Sequence, residues 1–190
     1  MRNYFLSTGR IGFSLWQDSD LSLAKLLLGD PCVTQFICAS GRFSERDIEQ
    51  RLQTEIENYY SFKVQYWPLF DLASNNLIGC CGLRPGLKES YELGFHLRPQ
   101  FWHKGLAFEA ADEVIKYAAA KLKVKELIAG HHPHNLASQK VLLKLGFKCI
   151  GASFYQKRSA AKTPSFRAEI IARRSSVFNQ AFSAGQYIDG

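Results

Sequence analysis

Residues 91–121 constrain the fold more than any other part of the chain. Tyr91 to Leu97 reads as a strand. Arg98-Pro99-Gln100-Phe101-Trp102-His103-Lys104-Gly105-Leu106-Ala107 follows it and turns into a long helix from Gly105 to about Lys121. Ala107, Ala110, Ala111, Val114, Ile115 and Ala118 give that helix an apolar side. A helix start leaves about four backbone N–H groups unpaired and carries a partial positive charge. A tight loop feeding it aims those groups at one spot, where a phosphate or pyrophosphate fits. Gly105 allows close backbone approach, Ala107 is nearly as small, and Lys104 adds charge. The same ten residues also suit a plain strand–loop–helix connection. They form neither a G-x-x-x-x-G-K-[ST] loop nor a G-x-G-x-x-G fingerprint.

The flanking pattern limits what this unit sits in. Ile11 to Trp16 reads as a strand. Asp18-Ser19-Asp20 caps a helix from about Leu21 to Leu28, which Gly29-Asp30-Pro31 stops. Ser44 and Asp47 resemble a capping box, opening a helix to about Tyr59 with Ile48, Leu52 and Ile56 as its stripe. Phe62 to Leu72 reads as a strand in which Pro68 marks a bulge or an edge. Strands follow at Leu77 to Leu83, Glu126 to Gly130, Phe147 to Tyr155 and Phe166 to Ala172. Asn135 to Leu145 reads as a helix that Gly146 closes. Crossovers joining antiparallel runs imply a mixed α/β sheet with helices on both faces. The length of 190 residues suits a single domain, placed at residues 1–174 with a tail at 175–190.

Cys32, Cys38, Cys80, Cys81 and Cys149 are odd in number and contain no C-x-x-C pair. They read as reduced thiols of a cytoplasmic protein with no zinc site. No stretch approaches the roughly 20 apolar residues of a membrane span. The net charge of +7 favours an anionic partner. Residues 151–190 carry +4 of it and residues 1–150 carry +3.

A second segment, His134-Asn135-Leu136-Ala137-Ser138-Gln139-Lys140-Val141-Leu142-Leu143-Lys144-Leu145-Gly146-Phe147, places Asn135, Ser138 and Leu142 on one helix face. Asn135 and Ser138 also suit a simple N-cap and its first-turn partner. His131, His132 and His134 look like a metal cluster, but adjacent residues point apart and no Cys or carboxylate lies close in sequence. Tyr59-Tyr60 and Tyr66-Trp67 either line an acceptor pocket or pack in the core.

Together these residues resemble the GNAT acyltransferases, which use acetyl-CoA. Trp102-His103-Lys104-Gly105-Leu106-Ala107 is similar to the family's Q/R-x-x-G-x-G/A. It is nearest the W-G-K-G-x-A of the Rim-type ribosomal-protein N-terminal acetyltransferases, from which His103 departs, Gly being usual there. Asn135, Ala137, Ser138, Lys144, Gly146 and Phe147 match that branch's N-x-A-S and K-x-G-F. Glu92 to Leu97 resembles its E-x-G-Y-x-L strand. The resemblance starts near Thr8-Gly9-Arg10 and stops at Ala172.

The resemblance implies a mostly antiparallel, six- to seven-stranded sheet splayed in a V. Acetyl-CoA would lie between the strand ending at Leu97 and the strand Glu126 to Gly130. The main chain of Phe95, His96 and Leu97 would pair with the pantetheine. The N–H groups of His103, Lys104, Gly105, Leu106, Ala107 and Phe108 would hold the pyrophosphate, Asn135 would bond the pantetheine arm, and Lys104 and Lys140 would serve the phosphates. Many relatives carry a Tyr acid where Leu142 stands here. Ser138 is therefore the candidate acid, with Tyr155 in reserve. Glu92 is the candidate base through water, with His96 second and a salt bridge the competing use of Glu92. No metal is implied.

The acceptor would be a protein or peptide N-terminal amine, with ribosome association as one setting for a monomer or homodimer. A drug or polyamine is the alternative, although a cationic acceptor suits an acidic pocket better than this basic chain. A non-catalytic acyl-CoA-binding module is the third reading.

Overall fold

A computed structural model of the chain describes residues 2–38, 40–86, 90–153 and 163–169. The strands are β1 (Leu6–Ser7), β2 (Ile11–Phe13), β3 (Tyr66–Asp71), β4 (Leu77–Pro85), β5 (Tyr91–Leu97), β6 (Glu126–Gly130), β7 (Lys148–Ser153) and β8 (Thr163–Glu169). They form one sheet in the order β1-β2-β3-β4-β5-β6-β8-β7. Every pairing is antiparallel except β5 with β6. The expected fold class stands, with one short strand, Leu6–Ser7, that no sequence period announced.

Helices α1 (Leu21–Leu28) and α3 (Glu45–Phe62), with the single turn α2 (Pro31–Thr34) between them, cover one face. Their core includes Leu27, Ile48, Leu52 and Ile56 against Trp16, Tyr66, Phe70 and Cys80. Helices α4 (Leu106–Lys121) and α5 (Leu136–Lys144) cover the other. There Ala110, Ala111, Val114 and Leu142 pack on Trp67, Leu83, Leu93 and Leu127. The small side chains of α4 let its backbone approach the sheet closely.

Local signals explain most boundaries. Ser44 Oγ accepts the Asp47 N–H at 3.2 Å, and the Asp47 carboxylate accepts the Ser44 N–H at 2.9 Å. Asp thus completes the capping box in place of Glu. At the other end α3 runs to Phe62, past the expected Tyr59. Lys63 closes it in a left-handed conformation, its N–H bonded to Tyr59 O. The strand expected from Phe62 therefore begins at Tyr66, and the half-exposed Phe62 belongs to the helix. Pro68 is not at an edge, because β3 lies between β2 and β4. The register shift falls just beyond it, between Leu69 and Phe70. The first long strand stops at Phe13. Trp16 then bonds inward, its main-chain N–H to Gln65 Oε1 and its indole to Tyr66 O, both at 2.7 Å. The last strand lies three residues earlier than expected, at Thr163–Glu169. The proposed tail at 175–190 falls outside the described residues.

One irregularity positions the site. Strands β5 and β6 pair only at Tyr91↔Leu127 and Glu92↔Ile128. Beyond Glu92, β5 continues against β4 as far as Gly79↔Leu97, while β6 continues against β8 as far as Gly130↔Ser165. The sheet opens here into the expected V.

Candidate active site

The loop after β5 is built to present backbone N–H groups. A 3-10 turn at Pro99–Phe101 ends the strand's course, and the Trp102 indole donates to Leu97 O at 2.7 Å, tying the loop to the strand end. His103 (φ 59°) and Gly105 (φ 74°) are both left-handed. Helix α4 starts with no side-chain cap. Its first bond is Glu109 N–H to Gly105 O at 3.0 Å, and the N–H groups of Leu106, Ala107 and Phe108 meet no acceptor among the described residues. A Cβ on Gly105 would find only Arg10 Nη2, at 3.9 Å. Glycine is needed for its backbone, and the space before it is open.

Arg10 braces this loop from β2's approach. Its Nη1 donates to Lys104 O at 3.1 Å and its Nε to Glu109 at 2.7 Å, with Nη2 also on that carboxylate. Thr8 Oγ1 donates to the other Glu109 oxygen at 2.5 Å. Burial opposes the Glu109 charge, but the Thr8 and Arg10 hydrogen bonds outweigh it and lower the pKa. Two ammonium groups flank the helix start. Lys104 stands 5.5 Å from the Phe101 ring and Lys144 4.5 Å from the Phe108 ring. Sequence reasoning matched Lys144 to a motif without giving it this place, which only the packing of α5 on α4 reveals.

At the start of α5, Asn135 is the N-cap, its Oδ1 accepting the Ser138 N–H at 3.0 Å. The amide NH2 of Asn135 remains a donor. Asn135 and Ser138 are half-buried, while Leu142 is sealed in the core below them. The N-cap reading of Asn135, with Ser138 as its first-turn partner, is thus borne out. Lys140 is exposed. Among the described residues no group of three or more His, Cys, Asp or Glu side chains converges as metal ligands. Tyr155 lies outside the described residues.

Glu92, Gly94 and His96 project on the opposite face of β5, toward α3. A side chain at Gly94 would run into the Tyr66 ring. The His96 ring lies 5.9 Å from that ring. Cross-strand pairs place Arg84 opposite Glu92 and Cys80 opposite His96. Burial, with Arg51 and Arg84 nearby, pushes the His96 pKa down to about 3. An imidazole of that low basicity takes up a proton poorly.

A charged group that the sequence did not announce lies beside it. Buried Glu55 accepts the Tyr66 N–H at 2.8 Å and pairs with Arg84, whose guanidinium stacks 4.0 Å over Tyr66. Burial opposes the Arg84 charge, yet Tyr66, Glu55 and Glu92 together raise its pKa. One signal for Glu55 existed: it sits between Leu52 and Ile56 on the apolar face of α3. Of the aromatic pairs weighed earlier, Tyr66 and Trp67 are buried and Tyr60 is exposed.

The site is thus a V-shaped opening in the sheet with an uncapped helix start at its mouth. Residues 10–148 match the family model "Acetyltransferase (GNAT) domain". The chain belongs to the GNAT acetyltransferases. It is 31% identical over 70 residues to the uncharacterized N-acetyltransferase YnaD of Bacillus subtilis, covering 37% of this chain and 40% of that one. It is 30% identical over 89 residues to the [ribosomal protein uS5]-alanine N-acetyltransferase of Escherichia coli, covering 45% of this chain and 46% of the relative. These matches span less than half of either relative's length.

Similar solved GNAT structures include RimL, the ribosomal L7/L12 α-N-protein acetyltransferase, in complex with coenzyme A. Its TM-score is 0.75 at 13% identity, over 90% of this chain and 100% of that one. Spermidine N-acetyltransferase from Vibrio cholerae, with CoA and spermine, gives 0.69 at 15%, over 85% and 96%. At these identities the likeness is one of fold. No helix among the described residues is long and apolar enough to cross a membrane.

Proposed function

We propose that this GNAT chain transfers the acetyl group of acetyl-CoA to a primary amine, foremost a protein or peptide N-terminal amine, by direct attack in a ternary complex. One observation carries the reading. The β6-facing edge of β5 opens beyond Glu92, at the same end of the sheet where α4 presents N–H groups without acceptors. A pantetheine-like arm pairs with such an edge as an added strand does, through Phe95, His96 and Leu97. A pyrophosphate fits the turn from His103 to Phe108, with Gly105 setting the conformation and Lys104 and Lys144 adding charge. Asn135 has its NH2 left to bond the arm. Acetyl-CoA supplies the activated acyl group.

The chain's own residues then have three tasks. A main-chain N–H of β5 near Phe95 or His96 donates to the carbonyl oxygen as it gains charge. Glu92, on the acceptor-facing side where the V closes, takes the amine proton through water. Ser138, half-buried in the first turn of α5, donates to the departing sulfur in the place a Tyr would serve. A protein N-terminus is supported by the relative that acts on ribosomal protein uS5. A polyamine acceptor is disfavoured by Arg51 beneath the acceptor-facing side, which makes no ion pair among the described residues.

Thiol release from acetyl-CoA with a panel of peptides and amines tests the reading. Turnover with α-amine peptides is expected, with Glu92→Gln lowering kcat about 10²-fold and Ser138→Ala lowering it to a smaller extent. CoA binding without turnover across the panel would make the chain a binding module instead.

A further inference from the structure

The layer between α1, α3 and the sheet contains a cleft lined by Trp16, Leu27, Arg51, Glu55, Tyr66 and His96, among others. Two guanidiniums, Arg51 and Arg84, and two carboxylates, Glu55 and Glu92, meet in or beside it, but they are paired unevenly. Each Glu55 oxygen has a partner, one on the Tyr66 N–H and the other on Arg84. Arg84 faces a second carboxylate, Glu92, across the strand pair. Even so, its buried Nε meets no acceptor among the described residues. Arg51 makes no ion pair or hydrogen bond among the described residues. Its described partner is the Phe43 ring, 5.1 Å from the guanidinium carbon. The other groups lining the cleft bring no negative charge. Burial holds Cys80 as the thiol, its pKa pushed up to about 12, and His96 as the neutral ring. Burial and the neighbouring Arg84 lower the Arg51 pKa, outweighing the attraction of Glu55. A guanidinium in such a place is stabilised by an oxyanion that can accept in its plane.

The cofactor's phosphates do not fit this role. The turn proposed for them opens α4, which packs on the opposite face of the sheet. The cleft adjoins the His96 face of β5, the side from which the amine would reach the V in the proposed reaction. We propose that Arg51 sets acceptor specificity by binding a carboxylate carried on the amine substrate, so that the enzyme prefers anionic acceptors. This rests on the amine-acetylation reading above. The shared chemistry is an amine and a carboxylate in one molecule, found either in a peptide with an acidic residue near its N-terminus or in a free acidic amino acid.

The test measures kcat/KM for matched acceptors: Ser-Asp and Ser-Asn N-terminal peptides, free glutamate and glutamine, and spermidine. The acidic member of a pair should be favoured about tenfold or more, the usual effect of a hydrogen bond to a charged group. Peptide and amino-acid pairs separate the two sources of carboxylate. In Arg51→Gln the ratio within each pair should fall toward one, through KM more than kcat, and Arg51→Lys should restore part of it. A folded Arg51→Gln that keeps the preference overturns the proposal, as does equal or faster turnover of the neutral members or of spermidine by the unsubstituted enzyme. If Arg51→Gln fails to fold, the pairwise ratios in the unsubstituted enzyme and in Arg51→Lys decide. CoA binding with no turnover of any acceptor overturns the acetyl-transfer reading and this proposal with it.

Discussion

His103 holds a left-handed backbone (φ 59°) with its side chain exposed. Such a conformation strains a residue that bears a Cβ, by about 1 kcal/mol or more. Glycine would relieve it at some cost in chain entropy. His103→Gly should therefore raise the unfolding free energy by about 0.5–1 kcal/mol, read by urea titration, and CoA affinity should hold. A loss of stability would show that the imidazole makes a contact worth more than the strain. His96 has a different signature. Its folded pKa, about 3, lies below the ordinary value of 6.5, so the unfolded chain binds a proton that the folded chain refuses. Its contribution to stability is complete above pH 6.5 and is lost progressively as pH falls toward 3. Denaturant titrations of His96→Gln should show a flatter slope between pH 6.5 and 4 than the unsubstituted protein.

Helix α4 depends on one backbone angle at its start. Gly105→Val should leave the fold intact by circular dichroism, because the space before Gly105 is open. The φ of 74° is nevertheless closed to a β-branched residue, and turning the first N–H groups should weaken CoA binding about tenfold or more by calorimetry. Elements of this kind were legible from sequence because their signals are local. The limits of β5 and β6 match the expected Tyr91–Leu97 and Glu126–Gly130, and α5 lies between the expected cap residues Asn135 and Gly146. Phe62 misled because its apolar character suggested a strand, while the helix end is decided one residue later by Lys63. The charged partnerships could not be read at all. Glu55 and Arg84 stand 29 residues apart, and Arg10 and Glu109 stand 99 apart. Glu55's place on the apolar face of α3 hints at burial, but nothing in either local pattern names the partner. The site's cradle was visible for the same reason its second wall was not. One is a contiguous loop, whereas the other is assembled from α3, β4 and β5.

Over the whole molecule, the two apolar layers meet through a sheet that is continuous except at the V. A ligand occupying that gap joins the β1–β5 part of the sheet to the β6–β8 part, so its binding energy should appear directly as folding stability. Coenzyme A at 100 times its dissociation constant should add about 2.7 kcal/mol to the unfolding free energy, measured as a rise in thermal midpoint that saturates with the binding curve. The open side of β5 has another consequence. A row of unpaired N–H and C=O groups recruits any extended peptide of suitable reach, including a strand from another copy of the same protein. Placed as proposed, the coenzyme would also shield this edge from self-association, and depletion of the coenzyme pool would expose a sticky edge as well as idle a catalyst.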